Sequence, residues 1–158
     1  MPQPIAPCLW FDGVAEEAAN YYVSVFKNSK ILTIDRFTGN DPDPDGSVLF
    51  VEFEINGQPF QALNGGPMFQ FSEAISFSVT CDDQAEVDYY WDTLVGDGGE
   101  ESHCGWLKDK FGVSWQIVPR RYYEMARDAD RRRATQMVQR MFQMSKLDVA
   151  ELEAAFNQ

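Results

Sequence analysis

The sequence predicts an α+β chain: two βαβββ modules, residues 5–65 and 74–119, followed by a helical tail over residues 120–158. Three observations predict it. Hydrophobic periods run strand, helix, strand, strand, strand, and then the order repeats. A shift of 68 residues lays Tyr21 and Tyr22 on Tyr89 and Tyr90, Phe26 on Leu94 and Phe11 on Val79; a shift of 55 lays residues 57–63 on 112–118. The length, 158 residues, suits one domain holding both modules, 1–158.

Each element has its own signal. Residues 5–11, Ile-Ala-Pro-Cys-Leu-Trp-Phe, read as a strand, and Ala15, Ala18, Ala19, Tyr22 and Phe26 recur at helical spacing. Residues 30–37 alternate, with Ile31, Thr33 and Asp35 on one face and Leu32, Ile34 and Arg36 on the other. Residues 40–46 carry the Asp, Pro and Gly of a loop, and residues 47–55 are rich in Val and Phe. Asn56-Gly57 is a hairpin signal, with residues 58–63 as the returning strand. The second module opens with a strand over 74–80. Asp83 and Glu86 then mark a helix start, and Val87, Tyr90, Trp91 and Leu94 form its apolar stripe. Gly96 to Gly99 ends that helix, and short strands follow near 100–104, 105–110 and 113–118. In the tail, Met137, Val138, Met141, Phe142 and Met144 form a stripe that needs cover, and Ser145 with Asp148 predicts a cap for the last helix.

Composition excludes several function classes. Hydrophobic residues at 44% and aromatics at 14% suit a packed core rather than a disordered chain. A net charge of -12 repels phosphate backbones, so no nucleic-acid partner is expected. The six arginines between Arg120 and Arg133 read as a helix face pairing with acids. No apolar run reaches the roughly 18 residues of a membrane span, so no membrane partner is expected. The N-terminal residues show no signal-peptide pattern, and Cys8, Cys81 and Cys104 form no disulfide framework; both point to the cytoplasm. With one histidine, His103, soft zinc ligands are few. Cys8 and Cys104 read first as small buried hydrophobes, and His103 as an exposed loop residue.

Several segments carry a resemblance. Pro7-Cys-Leu-Trp-Phe-Asp-Gly13, Leu63-Asn-Gly-Gly-Pro67, Phe71-Ser-Glu-Ala-Ile-Ser-Phe77, Tyr90-Trp-Asp92 and the stretch from Cys104 to Pro119 resemble the PhnB-like family of the vicinal oxygen chelate (glyoxalase/bleomycin-resistance) superfamily. That family often bears the label 3-demethylubiquinone-9 3-methyltransferase. The resemblance implies sheets that curl round a cavity, and often a homodimer. It also implies metal-ligand positions which fall here on Ala6, Ala74, Gln61 and Gln116, with Cys8 replacing Ala6 if the first strand slips by two. Alanine offers no lone pair and glutamine only a neutral oxygen, so no metal and no cofactor are expected. Neither glycine cluster joins a strand to a helix start, which argues against an S-adenosylmethionine site.

Strand faces then select candidate ligand-binding residues. On the first strand Cys8 and Trp10 share the cavity face, as do Gln61 and Leu63 on the fourth, Ser76 and Ser78 on the fifth, and Gln116 on the eighth. Gln61 and Gln116 either meet a ligand or bridge to each other or to nearby serines. The apolar Met68 and Phe69 either close over a ligand or pack on a second subunit. The expected function is metal-free binding of an unknown small molecule. No catalytic residue is assigned, and catalysis stays open. The alternatives are a metal-dependent lyase, isomerase or dioxygenase of the superfamily type, the labelled methyltransferase, or a module that only mediates packing.

Overall fold

The computed structural model describes residues 4–39 and 46–158; the loop expected over 40–46 lies almost wholly outside them. The chain forms two compact units, Met1–Phe71 and Ser72–Gln158. In the first, β1 (Cys8–Phe11) leads to α1 (Ala15–Val25), β2 (Lys30–Arg36), β3 (Val48–Ile55) and β4 (Gln58–Asn64). The sheet order is β1-β4-β3-β2, with β1 and β4 parallel and the other pairs antiparallel. The second unit repeats the plan with β5 (Phe77–Cys81), α2 (Gln84–Gly96), β6 (Glu100–Glu101), β7 (Trp106–Lys108) and β8 (Ser114–Pro119), in the order β5-β8-β7-β6. It ends with α3 (Arg120–Ala126), α4 (Arg131–Met141) and α5 (Val149–Phe156).

Each sheet buries one face under its helix. In the first unit Leu9, Phe11, Val51, Phe53, Phe60 and Ala62 bury with Ala15, Ala18, Ala19 and Tyr22 of α1, and Tyr22 stacks on Phe53 at 6.3 Å. The small alanines let α1 approach the sheet closely. In the second unit Val87, Trp91 and Leu94 of α2 bury with Trp115 and Ile117 of β8. The same strand is buried on its other face as well. Val118 is covered by a second core of Met125, Met137, Met141, Met144, Leu147, Leu152 and Phe156, all from the tail. The methionine stripe therefore finds its cover within its own unit.

Local chemistry explains the boundaries. The Asp83 carboxylate accepts from the Glu86 N–H, and Glu86 reaches back to the Asp82 N–H. Asn56 and Gly57 both have positive φ, as their hairpin turn requires. The last helix is capped by Asp148 alone, which accepts from the Glu151 N–H; the Ser145 carbonyl instead takes the Gly105 N–H.

Several expectations are corrected. The fifth strand starts at Phe77, so Ala74 and Ile75 stand exposed before it. The first strand likewise starts at Cys8, and the sixth is only two residues long. Strand β2 does not alternate cleanly. Ile31 pairs with Phe53 and Thr33 with the adjacent Glu52, so a bulge at Leu32 interrupts the period. The repeat shift also changes. Cys8 pairs with Gln61 while Ser78 pairs with Gln116, so the register equivalent of Cys8 is Ser78, not Ser76.

Candidate functional site

On the first sheet, the face away from α1 carries a lateral row formed by register: Cys8, Gln61, Glu52 and Thr33. Thr33 donates to the Glu52 carboxylate at 3.2 Å. Cys8 is exposed at the sheet edge, Gln61 is half-buried, and burial pushes the Cys8 thiol above its ordinary value. Trp10 and Leu63 form the next row.

The Leu63-Asn-Gly-Gly-Pro67 segment serves this face structurally. Asn64 accepts from the Ala15 N–H at 2.9 Å, completing the start of α1, whose own cap position, Val14, has no side-chain acceptor. Its amide nitrogen donates to the Val48 carbonyl at 2.9 Å. Gly65 lies under the Trp10 indole so closely that a Cβ there would sit 2.4 Å from the ring. The Trp10 N–H donates to the Gly66 carbonyl at 2.8 Å, and Phe69 packs edge-on against the same indole at 5.0 Å. Trp10 thus anchors its own loop, and its one polar hydrogen is committed there. Met68 remains 77% exposed.

The second sheet carries a built cleft. Ser78, Gln116 and Trp106 are direct cross-strand neighbours on the face away from α2. The Gln116 amide nitrogen donates to the Ser76 hydroxyl at 2.9 Å, and the Ser78 hydroxyl lies 3.3 Å from that of Tyr123. Tail residues rise beside this face and close a cleft of about 480 Å³, lined by Trp106, Gln116, Tyr122, Tyr123, Met141 and Phe142, with His103, Cys104, Val118 and Leu147 at its edges. No Lys, Arg, Asp or Glu lines it. Burial, with smaller contributions from Tyr123 and Cys104, holds the Tyr122 hydroxyl above its ordinary value, so at neutral pH it stays a neutral donor.

One wall of the cleft is held by backbone. Cys104 and Gly105 have φ of 59° and 83°, a conformation that costs a cysteine energy. Their N–H groups donate to the Met144 and Ser145 carbonyls at 2.8 Å each, which pins the strand edge to the tail. Gly105 also has to be glycine, because a Cβ would lie 3.0 Å from the Ile117 carbonyl.

Of the candidate residues, Gln116 lines this cleft. Ser76 and Ser78 hold Gln116 and Tyr123 beside it. Cys8, Trp10, Gln61, Leu63, Met68 and Phe69 lie in the first unit. Sequence reasoning missed Trp106, Tyr122, Tyr123, Met141, Phe142 and Leu147. The available signal was the aromatic pair at the head of the tail and Phe142 beside the methionine stripe, both amphipathic features with no obvious partner.

Neither unit offers donors that fit a divalent metal. Register pairs the Cys8 thiol with the Gln61 amide in the first unit and the Ser78 hydroxyl with the Gln116 amide in the second, and no group of three His, Cys, Asp or Glu side chains forms among the described residues. Nor do the glycines cradle a nucleotide. Gly65 packs against Trp10, and Gly99 fits between the Leu94 and Lys108 carbonyls at the end of α2.

A sequence profile of the 3-demethylubiquinone-9 3-methyltransferase family matches residues 3–118. The PhnB protein of Bacillus cereus, which carries the same family name, is 37% identical, with a TM-score of 0.67 over 74% of this chain and 99% of that one. Protein PA1353 of Pseudomonas aeruginosa is 21% identical, with a TM-score of 0.61 over 75% of this chain and 98% of that one. The fosfomycin resistance protein FosX of Listeria monocytogenes is 12% identical, with a TM-score of 0.51 over 75% of this chain and 93% of that one. The last two share the fold. No curated protein matches. By its twin βαβββ sheets and by these matches, the chain belongs to the PhnB-like 3-demethylubiquinone-9 3-methyltransferase family.

Proposed function

We propose that this PhnB-like protein holds a small organic molecule against the second sheet and binds it without a divalent metal. The observation that carries this reading is the cleft lining: the rings of Trp106, Tyr122, Tyr123 and Phe142, three aliphatic side chains and a few polar groups, with no Lys, Arg, Asp or Glu. Such a surface suits an organic ligand and offers a divalent cation no carboxylate. Catalysis is not part of the proposal, because no pair of groups in the cleft forms a nucleophile–base hydrogen bond. Elemental analysis of protein purified without chelator tests it. Substoichiometric Mn, Fe, Ni and Zn is the expected result; one tightly held metal per chain overturns it in favour of superfamily-type metal chemistry.

The reading includes a homodimer in the cytoplasm. Met68 and Ile75, 77% and 71% exposed, are apolar groups that a second copy would cover, and all three cysteines are free thiols. Sedimentation velocity is expected to give twice the chain mass, and a monomer at micromolar concentration removes that part. No helix is long and apolar enough to cross a membrane among the described residues.

A further inference from the structure

The cleft floor and walls differ in origin. Trp106 and Gln116 belong to the sheet, whereas Tyr122, Tyr123, Met141, Phe142 and Leu147 come from the tail. The family match stops at residue 118, and the Bacillus cereus protein is covered almost entirely by 74% of this chain. The tail-built half of the cleft therefore lies beyond what the family match describes.

The floor carries two polar side chains. Trp106 and Gln116 are paired across β7 and β8, so their side chains leave the same face at adjacent positions. Ser76 takes the Gln116 amide nitrogen, which leaves the Gln116 carbonyl oxygen as an acceptor with no protein donor among the described residues. The Trp106 indole N–H likewise has no protein acceptor among them, and the Tyr122 hydroxyl has no hydrogen-bond partner there. Neither floor group is sealed away from solvent. The rings of Tyr122, Tyr123 and Phe142 line the same cleft, the last 64% exposed.

An acceptor and a donor from neighbouring strands suit a ligand edge that carries both, a donor beside an acceptor. A ring lactam has such an edge. Aromatic walls favour a flat ring, and a lining without counter-charge penalises an ionised one.

We propose that the cleft takes an uncharged planar heterocycle with a lactam-type edge, read by Trp106 and Gln116, and that the tail residues Tyr122 and Phe142 select for its flat ring. This rests on the reading that the cleft is the ligand site, and it names the ligand class.

The experiment uses the full chain and three defined probes: 2-quinolone, decahydro-2-quinolone and 2-naphthoate. Binding is read by calorimetry and by the Trp106 indole N–H resonance, assigned with Trp106→Phe. 2-Quinolone is expected to move that resonance and to bind at least about tenfold more tightly than 2-naphthoate, which brings an unpaired charge. Gln116→Leu should weaken 2-quinolone about tenfold, the cost of a ligand donor left unpaired once the ligand displaces water. Phe142→Ala, at an exposed position that leaves the core intact, should weaken 2-quinolone several-fold and bring it close to its saturated analogue. Equal or tighter binding of 2-naphthoate overturns the proposal, as does full affinity in Gln116→Leu of wild-type melting temperature. In those outcomes the cleft still binds ligand, and only its assigned class fails. If no probe moves the Trp106 resonance, the lactam assignment fails; if a broad fragment set also leaves it unmoved, the cleft itself is not the ligand site.

Discussion

Asp109 shows what a single side chain does here. It is 3% exposed, yet one carboxylate oxygen accepts from the Phe111 and Val113 N–H groups and the other from the Trp115 indole, at 2.9, 3.1 and 2.9 Å. The turn between β7 and β8 and the largest ring under β8 therefore share one anchor. Asp109→Ala should cost about 3 kcal/mol or more, because it strands buried donors; urea denaturation reads it, and a loss below about 1 kcal/mol would show that water replaces the carboxylate. Gly65→Ala should cost about 1–3 kcal/mol by driving a methyl into the Trp10 ring, and should shift the Trp10 fluorescence as its N–H leaves Gly66. These residues sit in the two segments that most clearly carried the family resemblance. The motifs were legible from sequence. Their purpose was not, because a glycine that admits an indole reads the same as a glycine that admits a ligand.

Cysteine reactivity is also decided at this scale. Burial, aided by Glu86, Asp82 and Asp83, pushes the Cys81 thiol up to about 12, and its side chain has no exposure. Cys8 is exposed at the sheet edge. A disulfide reagent at pH 8 should label Cys8 in the folded protein and reach Cys81 only after denaturation; labelling of Cys81 in the native state would mean that β5 opens readily.

Between elements, the tail docks through α2. Gln84 near the start of α2 donates to the Leu147 carbonyl at 3.1 Å and accepts from the Val149 N–H at 2.7 Å, so one side chain satisfies the segment leading into α5. Lys146 adds ion pairs to Asp88 and Asp92 at 3.1 and 2.9 Å. Burial alone would lower the Lys146 pKa, but hydrogen bonds to Asp92 and Asp88 outweigh it and raise the value. The lysine's share of stability is then complete below its unfolded pKa, about 10.4, and is lost as pH rises through the folded value. Hydrogen bonds from Gln84 and Lys146 lower the Asp88 pKa. Its share is present above about 3.9 and is lost as pH falls through the folded value. Lys146→Met should therefore lower stability by a few tenths to about 1 kcal/mol, evenly from about pH 5 to pH 9, with the difference from wild type closing at both extremes. A gap that widens at acid pH would contradict this pairing.

Element order, the hairpin at Asn56-Gly57 and the cap at Asp83 were legible, because they rest on local period and local hydrogen bonds; the last cap was read with Ser145, and Asp148 alone provides it. The start of β5 was not. Ala74, Ile75 and Ser76 alternate like a strand, but pairing begins only where β8 supplies partners, at Phe77 opposite Trp115. The bulge in β2 and the two-residue register change between modules escaped for the same reason. Register belongs to a pair of strands, and one strand's pattern does not contain it.

At the scale of the whole chain, a net charge of -12 coexists with an arginine-rich tail, and the structure shows how. Arg121 pairs with Glu153 and Glu124, Arg120 with Asp82, and Arg140 with Glu151. Arg133 stacks on Phe156 at 4.0 Å and donates to its carbonyl. These arginines close the tail on its own unit. The cleft follows from that closure: a module shared with the family supplies its floor, and the tail supplies its aromatic wall. The sequence could point to the sheet face by alternation, whereas the meeting of residue 116 with residues 122 and 142 is a tertiary event.

The most direct measurement is a crystal structure of the full chain grown without chelator or added ligand, with anomalous data collected at the metal edges. The account predicts organic density in the second unit between Trp106, Gln116 and the tail rings, and no anomalous peak bonded to protein atoms at Cys8, Gln61, Ser78 or Gln116. A metal ion held at those residues would contradict it, as would a cleft filled by the Tyr122 and Phe142 rings themselves.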